Sequence, residues 1–180
     1  MPCVDSQAQS WLQKYGGNMA GAVYAVACST EFSTLLNQNI GSSALMGFSI
    51  GSYLLCGHKN WGIVAGAAFN LAGTLLGISL DMAHGNAPAL AGGTLACIGL
   101  GLVIFGAAVR EKHPGFGNKA LKYGAYIAAF SNVFIAPEKF VAGHIREGVY
   151  YALLSAGDYF LSRSQNDAVQ AIRPLGKLVL

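Results

Sequence analysis

Three polar side chains lie within or beside long apolar stretches, and they are the strongest candidates for chemistry in this sequence. They are Glu31, Asn70 and Asn132. A carboxyl or amide group in an apolar medium must be hydrogen-bonded, hydrated or used in function, because leaving it without a partner is costly. We therefore expect these residues to bind a small solute or to couple its movement to a proton or another cation.

Each of these residues also has a structural interpretation. For Asn70 and Asn132 it is a hydrogen bond between helices, worth about 0.6 to 2 kcal/mol in a membrane. For Glu31 it is that the first apolar segment stops just before it, which leaves the carboxyl at the outer interface. Asp158 interrupts the last apolar segment near one end, and we expect it to reach the interface or to pair with Arg163.

Two carboxylate and histidine pairs at a spacing of three residues are weak candidates for a metal site. They are Asp81 with His84, and His144 with Glu147. On a helix this spacing places both side chains on one face, as metal-binding pairs of this kind require. The alternative is that all four are solvated residues at the ends of apolar segments. We predict no cofactor: the histidines lie at segment ends, where they cannot ligate a haem, and the cysteines lack the CxxC spacing of zinc sites.

The composition indicates a protein that lies in a lipid bilayer. The 180 residues are 53% apolar and only 11% charged, whereas soluble domains average about 25% charged residues. A net charge of +3 argues against nucleic acid as a partner. No nucleophile and base stand at a spacing typical of an active site, so we predict no enzymatic activity.

The apolar segments predict an all-α, polytopic transmembrane bundle of about six spans. A hydrocarbon layer of about 30 Å requires roughly 20 residues of helix, and six segments approach that length. The predicted spans are 18–37, 41–57, 61–80, 88–109, 120–137 and 144–162. Residues 1–163 form one domain in this interpretation, and residues 164–180 form a basic cytoplasmic tail.

The distribution of lysine and arginine favours six spans over four. Cytoplasmic segments of membrane proteins retain an excess of these residues. Six spans with an inside N-terminus place nine of the eleven inside and two, Lys139 and Arg146, outside. Counting only the four clearest spans divides them five to six, which is no bias. We therefore predict that both termini are cytoplasmic.

Small residues at regular spacing predict how the spans pack, because glycine and serine allow close approach of helix backbones in a membrane. The expected packing stripes are Gly17, Gly21 and Ala25; Ser43, Gly47 and Gly51; Gly62, Gly66, Asn70, Gly73 and Gly77; and Gly92, Gly99 and Gly106.

The ends of the spans carry their own signals. Pro137 is expected to end or break the fifth span. Aromatic residues near predicted ends are expected to form a girdle at the two interfaces. They are Tyr15, Tyr53, Trp61, Tyr123, Tyr150, Tyr151 and Tyr159.

Six spans divide into two sets of three, and the second set must run with opposite orientation, as in inverted-repeat transporters. In length, span number and short loops the chain resembles small transporters built from three-helix bundles, such as the PQ-loop sugar and vitamin carriers, although their Pro-Gln pair is absent. We expect a small-solute or ion transporter with Asn70 and Asn132 at its centre. The alternative is an accessory subunit that packs against a membrane-protein partner or a second copy of the chain and moves nothing.

Overall fold

The structure, a computed structural model, describes residues 3–30, 40–84 and 87–164. These residues fold into six α-helices and contain no β-strand, which confirms the all-α class. The helices are α1 (Cys3–Thr30), α2 (Ile40–Cys56), α3 (Asn60–His84), α4 (Ala87–Val109), α5 (Pro114–Val141) and α6 (Ile145–Arg163).

Two helices extend well beyond the segments predicted from hydrophobicity. α1 begins at Cys3 rather than near residue 18, and α5 begins at Pro114 rather than near residue 120. Apolar runs mark only the part of a helix that suits an apolar medium, whereas helix formers such as Gln and Lys continue the helix beyond it. Pro114 suits the first turn, where its missing N–H has no helical acceptor. Pro137 neither ends nor breaks α5, which continues to Val141, so that expectation is wrong.

Two of the described helices are long and apolar enough to cross a membrane. They are α3, through Asn60–Ser79, and α4, through Leu90–Val109. α2 is apolar but shorter, with 17 residues. Two such helices are weak evidence for membrane association, and six crossings remain a prediction.

The six described helices form a closed ring. Each helix packs against the helices that precede and follow it, and α6 packs against α1. At each interface, residues later in one helix contact residues earlier in the next. In α4, for example, Gly99 meets Gly124 and Ala128, whereas Gly106, seven residues later, meets Gly117 and Leu121. Neighbouring helices are therefore antiparallel. Gly16 of α1 lies against Ser164, so these two parts of the chain are at the same end of the ring.

Glycine packs α4 against α5 along most of their length. A Cβ atom on Gly99 would lie 2.6 Å from the backbone nitrogen of Ala128, and one on Gly124 would lie 2.6 Å from the carbonyl oxygen of Gly99. Gly106 approaches the backbone of Gly117 and Leu121 equally closely. The contacts confirm that the seven-residue glycine stripe is a packing face. We call this contact the glycine seam.

The other stripes are used unevenly. Gly17 and Gly21 in α1 approach the backbone of α2, and in α3 Gly62 approaches that backbone while Gly66 faces the ring of Tyr53. Gly73 makes only ordinary contacts. Three other glycines of these stripes have open space where a side chain would be added, so the packing prediction is wrong for them. They are Gly47, Gly51 and Gly77.

Large apolar side chains cover the outside of the ring on every helix. Leu55, for example, is 77% exposed. Extended exposed apolar patches are typical of surfaces that meet lipid or another protein. Exposed examples are Trp11 and Val26 in α1, Phe48 and Leu55 in α2, Trp61 and Leu75 in α3, Ile98 and Phe105 in α4, Phe130 and Phe134 in α5, and Val149 and Tyr159 in α6.

Candidate functional site

A buried carboxyl group lies between three helices. Asp158 of α6 is only 2% exposed. The Tyr24 hydroxyl on α1 donates a hydrogen bond to its Oδ1 at 2.5 Å. The Asn132 amide on α5 donates one to its Oδ2 at 2.9 Å. Both carboxyl oxygens therefore have a donor, each supplied by a different neighbouring helix.

A second tyrosine extends this group toward α2 and α3. The Tyr53 side chain is fully buried, and its ring centroid lies 5.6 Å from that of Tyr24 at an interplanar angle of 57°. Its hydroxyl is buried and has no hydrogen-bond partner among the described residues. We call Tyr24, Tyr53, Asn132 and Asp158 the polar cluster.

Glycines create the space that the two tyrosine rings occupy. A Cβ atom on Gly66 of α3 would lie 2.8 Å from the Tyr53 ring, and one on Gly157 of α6 would overlap the Tyr24 ring. The Ser49 hydroxyl also donates to the carbonyl oxygen of Gly66 at 2.8 Å, which fixes α2 against α3 beside Tyr53. The sequence thus builds the cluster by placing small residues opposite large ones.

Asp158 lies on the inward face of its helix. Leu154 and Leu161, four residues before and three after it, are both buried, and Gly157 packs beside it. The expectation that Asp158 reaches the interface or pairs with Arg163 is wrong. Arg163 instead donates to the Tyr159 hydroxyl at 2.7 Å, with its guanidinium 5.0 Å from the centre of that ring. The helical spacing of Leu154, Asp158 and Leu161 was the signal that could have identified it.

The three residues singled out from the sequence have different outcomes. Asn132 joins the cluster through Asp158. Asn70 is half-buried on α3, and no hydrogen bond from its side chain to another described residue joins it to Asn132. Glu31 lies outside the described residues. The structure therefore does not bring Asn70 and Asn132 together as a shared site.

Two tyrosines assigned to the interfacial girdle are in the core. Tyr53 and Tyr150 are both buried, so that prediction is wrong for them. Tyr123, Tyr159 and Trp61 are exposed, as a girdle position requires. A tyrosine near a helix end is compatible with either location, and only the face of the helix distinguishes them.

The candidate metal residues form an ion-pair network where they are described. Glu147 Oε1 lies 2.9 Å from His144 Nδ1, and its Oε2 lies 2.9 Å from Lys139 Nζ. A lysine ammonium on the carboxylate competes with a metal for the same oxygen. The side chains of Asp81 and His84 are outside the described set, and the described residues contain no group of three or more metal-ligating side chains.

No family model, curated protein or solved structure matches this chain. Its function is therefore inferred from the chemistry of its own residues. A carboxyl group held by two donors inside an apolar ring can take up or release a proton, and the change alters which bonds it makes. A neutral carboxyl carries one O–H donor, whereas the charged form only accepts.

Proposed function

We propose that the chain is a membrane protein whose six helices all cross the bilayer, with both termini on the cytoplasmic side. The proposal is supported by the apolar exterior on every helix and by the antiparallel ring of six. The charges of α5 are confined to its ends, since Tyr123–Pro137 contains none. α2, at 17 residues and 1.5 Å per residue, reaches about 26 Å, close to a hydrocarbon thickness of about 30 Å.

Within that bundle we propose a proton-coupled transporter of a small solute, with Asp158 as the coupling acid. The observation that carries the proposal is the full burial of Asp158 among side chains from α1 and α5. An ionisable group inside a membrane protein is expensive and is typical of proton relays and substrate pathways. A bundle that needed only to pack would be as stable with apolar residues in place of the whole polar cluster.

The hydrogen bonds indicate how protonation would move the helices. With a charged Asp158, the donors Tyr24 and Asn132 hold α1 and α5 against α6. Protonation adds an O–H donor to one carboxyl oxygen, which weakens that oxygen as an acceptor and allows its bond with the Tyr24 hydroxyl to reverse. The unpartnered Tyr53 hydroxyl beside Tyr24 can accept or donate in the alternative arrangement. The cluster therefore has two arrangements whose balance a proton shifts, as coupling requires.

Glu31 remains part of this proposal as a second acid. It directly follows the described part of α1, the helix that supplies Tyr24. In this proposal Glu31 would exchange protons with the outer solution, and Asp158 would exchange them nearer the inner end. Asn70 is proposed as a contact for solute rather than for the proton, since no side-chain hydrogen bond joins it to the described residues of the cluster.

The transport proposal is tested in proteoliposomes with an imposed pH gradient. The probe is a mixture of isotope-labelled amino acids, sugars, nucleosides and organic cations, and the retained solutes are measured by mass spectrometry. We expect one solute class to accumulate with the wild type and not with Asp158→Asn. Glu138→Gln makes the same chemical change at an exposed carboxyl and should retain accumulation. Equal solute content in wild-type, Asp158→Asn and protein-free vesicles would refute transport of these classes.

A second candidate is an accessory subunit, and one observation favours it. Gly47 and Gly51 of α2 have open space where a packing partner would lie, and Phe48 beside them is exposed. Small residues of this kind allow another helix to approach closely. An accessory subunit should lose a defined partner on Gly47→Leu while remaining folded, and should show no solute accumulation in the experiment above.

A further inference from the structure

A buried arginine at the end of the ring lacks a full set of hydrogen-bond acceptors. Arg110 follows α4 directly and is only 2% exposed. Its Nε donates to Oδ1 of Asn60, the first residue of α3. Its Nη1 is buried and has no hydrogen-bond partner among the described residues. A guanidinium carries five N–H donors, and the two on Nη1 have no acceptor among the described residues.

The beginnings of two helices lie beside this arginine. α3 begins at Asn60, which contacts Arg110 directly. α5 begins at Pro114, and a side chain added at Gly117 in its second turn would overlap the Arg110 backbone. No side chain caps the N-terminus of α5. Helix N-termini carry partial positive charge and free N–H groups, so they reinforce the charge of Arg110 instead of balancing it.

The charge of Arg110 persists at neutral pH. Burial lowers the pKa of its guanidinium to about 10, and the carboxylate of Glu111 acts in the opposite direction. Lys59 and Lys112 adjoin, in sequence, the corner formed by Asn60, Arg110 and the start of α5, but both are exposed, so solvent screens their charge. The acid within it, Glu111, is exposed and reaches the corner through one bond, in which Asn60 Nδ2 donates to its Oε1 at 2.7 Å.

We propose that Asn60, Arg110 and the N-terminus of α5 bind a phosphate group, and that the headgroup of an anionic phospholipid supplies it. The Glu111 carboxylate holds the place of that anion when no phosphate is bound. Arginine and helix N-termini are the usual ligands of phosphate in proteins. Trp61 and Phe116, which adjoin this corner in sequence, are exposed and suit the acyl side of a lipid.

The lipid source rests on the membrane location proposed above and is independent of transport. A lipid source also agrees with the proposed topology, because the positive-inside pattern assigns this end of the ring to the cytoplasmic leaflet, which is the anionic one. Competition from Glu111 predicts a specific signature: removing its charge should strengthen binding. A merely structural Arg110 would give no such response.

The test uses the purified full-length protein and native mass spectrometry with added phosphatidylglycerol, phosphatidylcholine or inorganic phosphate. We expect phosphatidylglycerol to bind in preference to phosphatidylcholine and to raise the melting temperature. Arg110→Gln should weaken the binding of phosphatidylglycerol about tenfold, which is the effect of losing one charged hydrogen bond. Lys112→Gln removes the same charge at an exposed position and should change affinity less than about twofold. Glu111→Gln should strengthen binding.

The outcomes separate the sources of the phosphate. Displacement of the lipid by inorganic phosphate would show that the phosphate group alone is recognised, whereas no displacement would show that the acyl chains contribute. Equal losses of lipid affinity in Arg110→Gln and Lys112→Gln, or equal binding of phosphatidylglycerol and phosphatidylcholine, would overturn the proposal. If Arg110→Gln does not fold, Glu111→Gln still decides the question, because an unchanged affinity in that variant contradicts the predicted competition.

Discussion

The glycine seam between α4 and α5 and the polar cluster around Asp158 hold neighbouring helices together by opposite means. The seam brings backbone against backbone, with Gly99 and Gly124 leaving no room for a side chain. The cluster joins α1, α5 and α6 through the side chains of Tyr24, Asn132 and Asp158. Close backbone contact has one arrangement, whereas a hydrogen-bonded carboxyl has two, one for each protonation state.

Under the proposed proton coupling, this difference divides the ring into a fixed part and a part that can change. α5 belongs to both, since Gly124 lies in the seam and Asn132 lies in the cluster. Motion coupled to protonation would therefore move α1 and α6 against α5, while α4 and α5 stay together. The following substitutions test that division, beginning with the largest expected effect.

Filling the seam should be the most destructive change. Gly99→Leu would force a side chain into the backbone of α5, and we expect a loss of about 3 kcal/mol or more, at the upper end of overpacking effects. Gly47→Leu is the matched control, because Gly47 has open space around it. Thermal unfolding and size-exclusion chromatography in detergent measure both. Similar behaviour of the two variants would mean that the seam is not a packing contact.

Removing the carboxyl group of Asp158 should lower the stability of the protein less than placing a side chain in the glycine seam does. Asp158→Ala leaves the Tyr24 hydroxyl and the Asn132 amide without their acceptor, and we expect a loss of about 1 to 3 kcal/mol. Combining it with Tyr24→Phe should cost less than the sum of the single changes, since the second substitution removes an unsatisfied donor. Additive losses in chemical unfolding would show that the two residues do not interact.

The two tyrosines of the cluster should respond differently to loss of the hydroxyl group. Tyr24→Phe removes a hydrogen bond to Asp158 and should cost about 1 kcal/mol. Tyr53→Phe removes a hydroxyl that has no partner among the described residues, so it should leave stability unchanged or raise it. A loss in Tyr53→Phe as large as that in Tyr24→Phe would show that Tyr53 has a partner.

Asn70→Ala should have the smallest effect on stability. Asn70 is half-buried and makes no side-chain hydrogen bond to another described residue. We expect a change within about 0.5 kcal/mol, as for an ordinary site without buried partners. Thermal unfolding of Asn70→Ala is compared with that of Asn132→Ala, and Asn132→Ala should lower the stability more. The reverse order would indicate that Asn70 and not Asn132 holds the bundle together.

The positions of the helices could be predicted because each contains an apolar run near the required length. The ends of α1 and α5 could not, since hydrophobicity does not mark a helix once it leaves an apolar environment. Pro137 was misjudged for a related reason. It lies on the exposed side of α5 with Val133, whose carbonyl it leaves without a helical donor, and a helix tolerates that loss more readily on an outer face.

The candidate site was predicted only in part. Asn132 was identified because an amide in an apolar run is conspicuous, but its partner Asp158 was assigned to the interface because it is near the end of α6. Burial of Asp158 depends on α1 and α5 supplying donors at the same height. Asp158 bonds to residues 26 and 134 positions away in the chain. Such contacts depend on how the helices pack, and the residue pattern within one helix does not reveal that packing.

Infrared difference spectroscopy of the protein in lipid, across the pH range in which it stays folded, can detect protonation of the Asp158 carboxyl itself. We expect a protonated-carboxyl band that grows on acidification in the wild type, is missing from Asp158→Asn and is unaffected by sodium. Identical spectra from the wild type and Asp158→Asn would contradict the claim that this buried acid exchanges a proton.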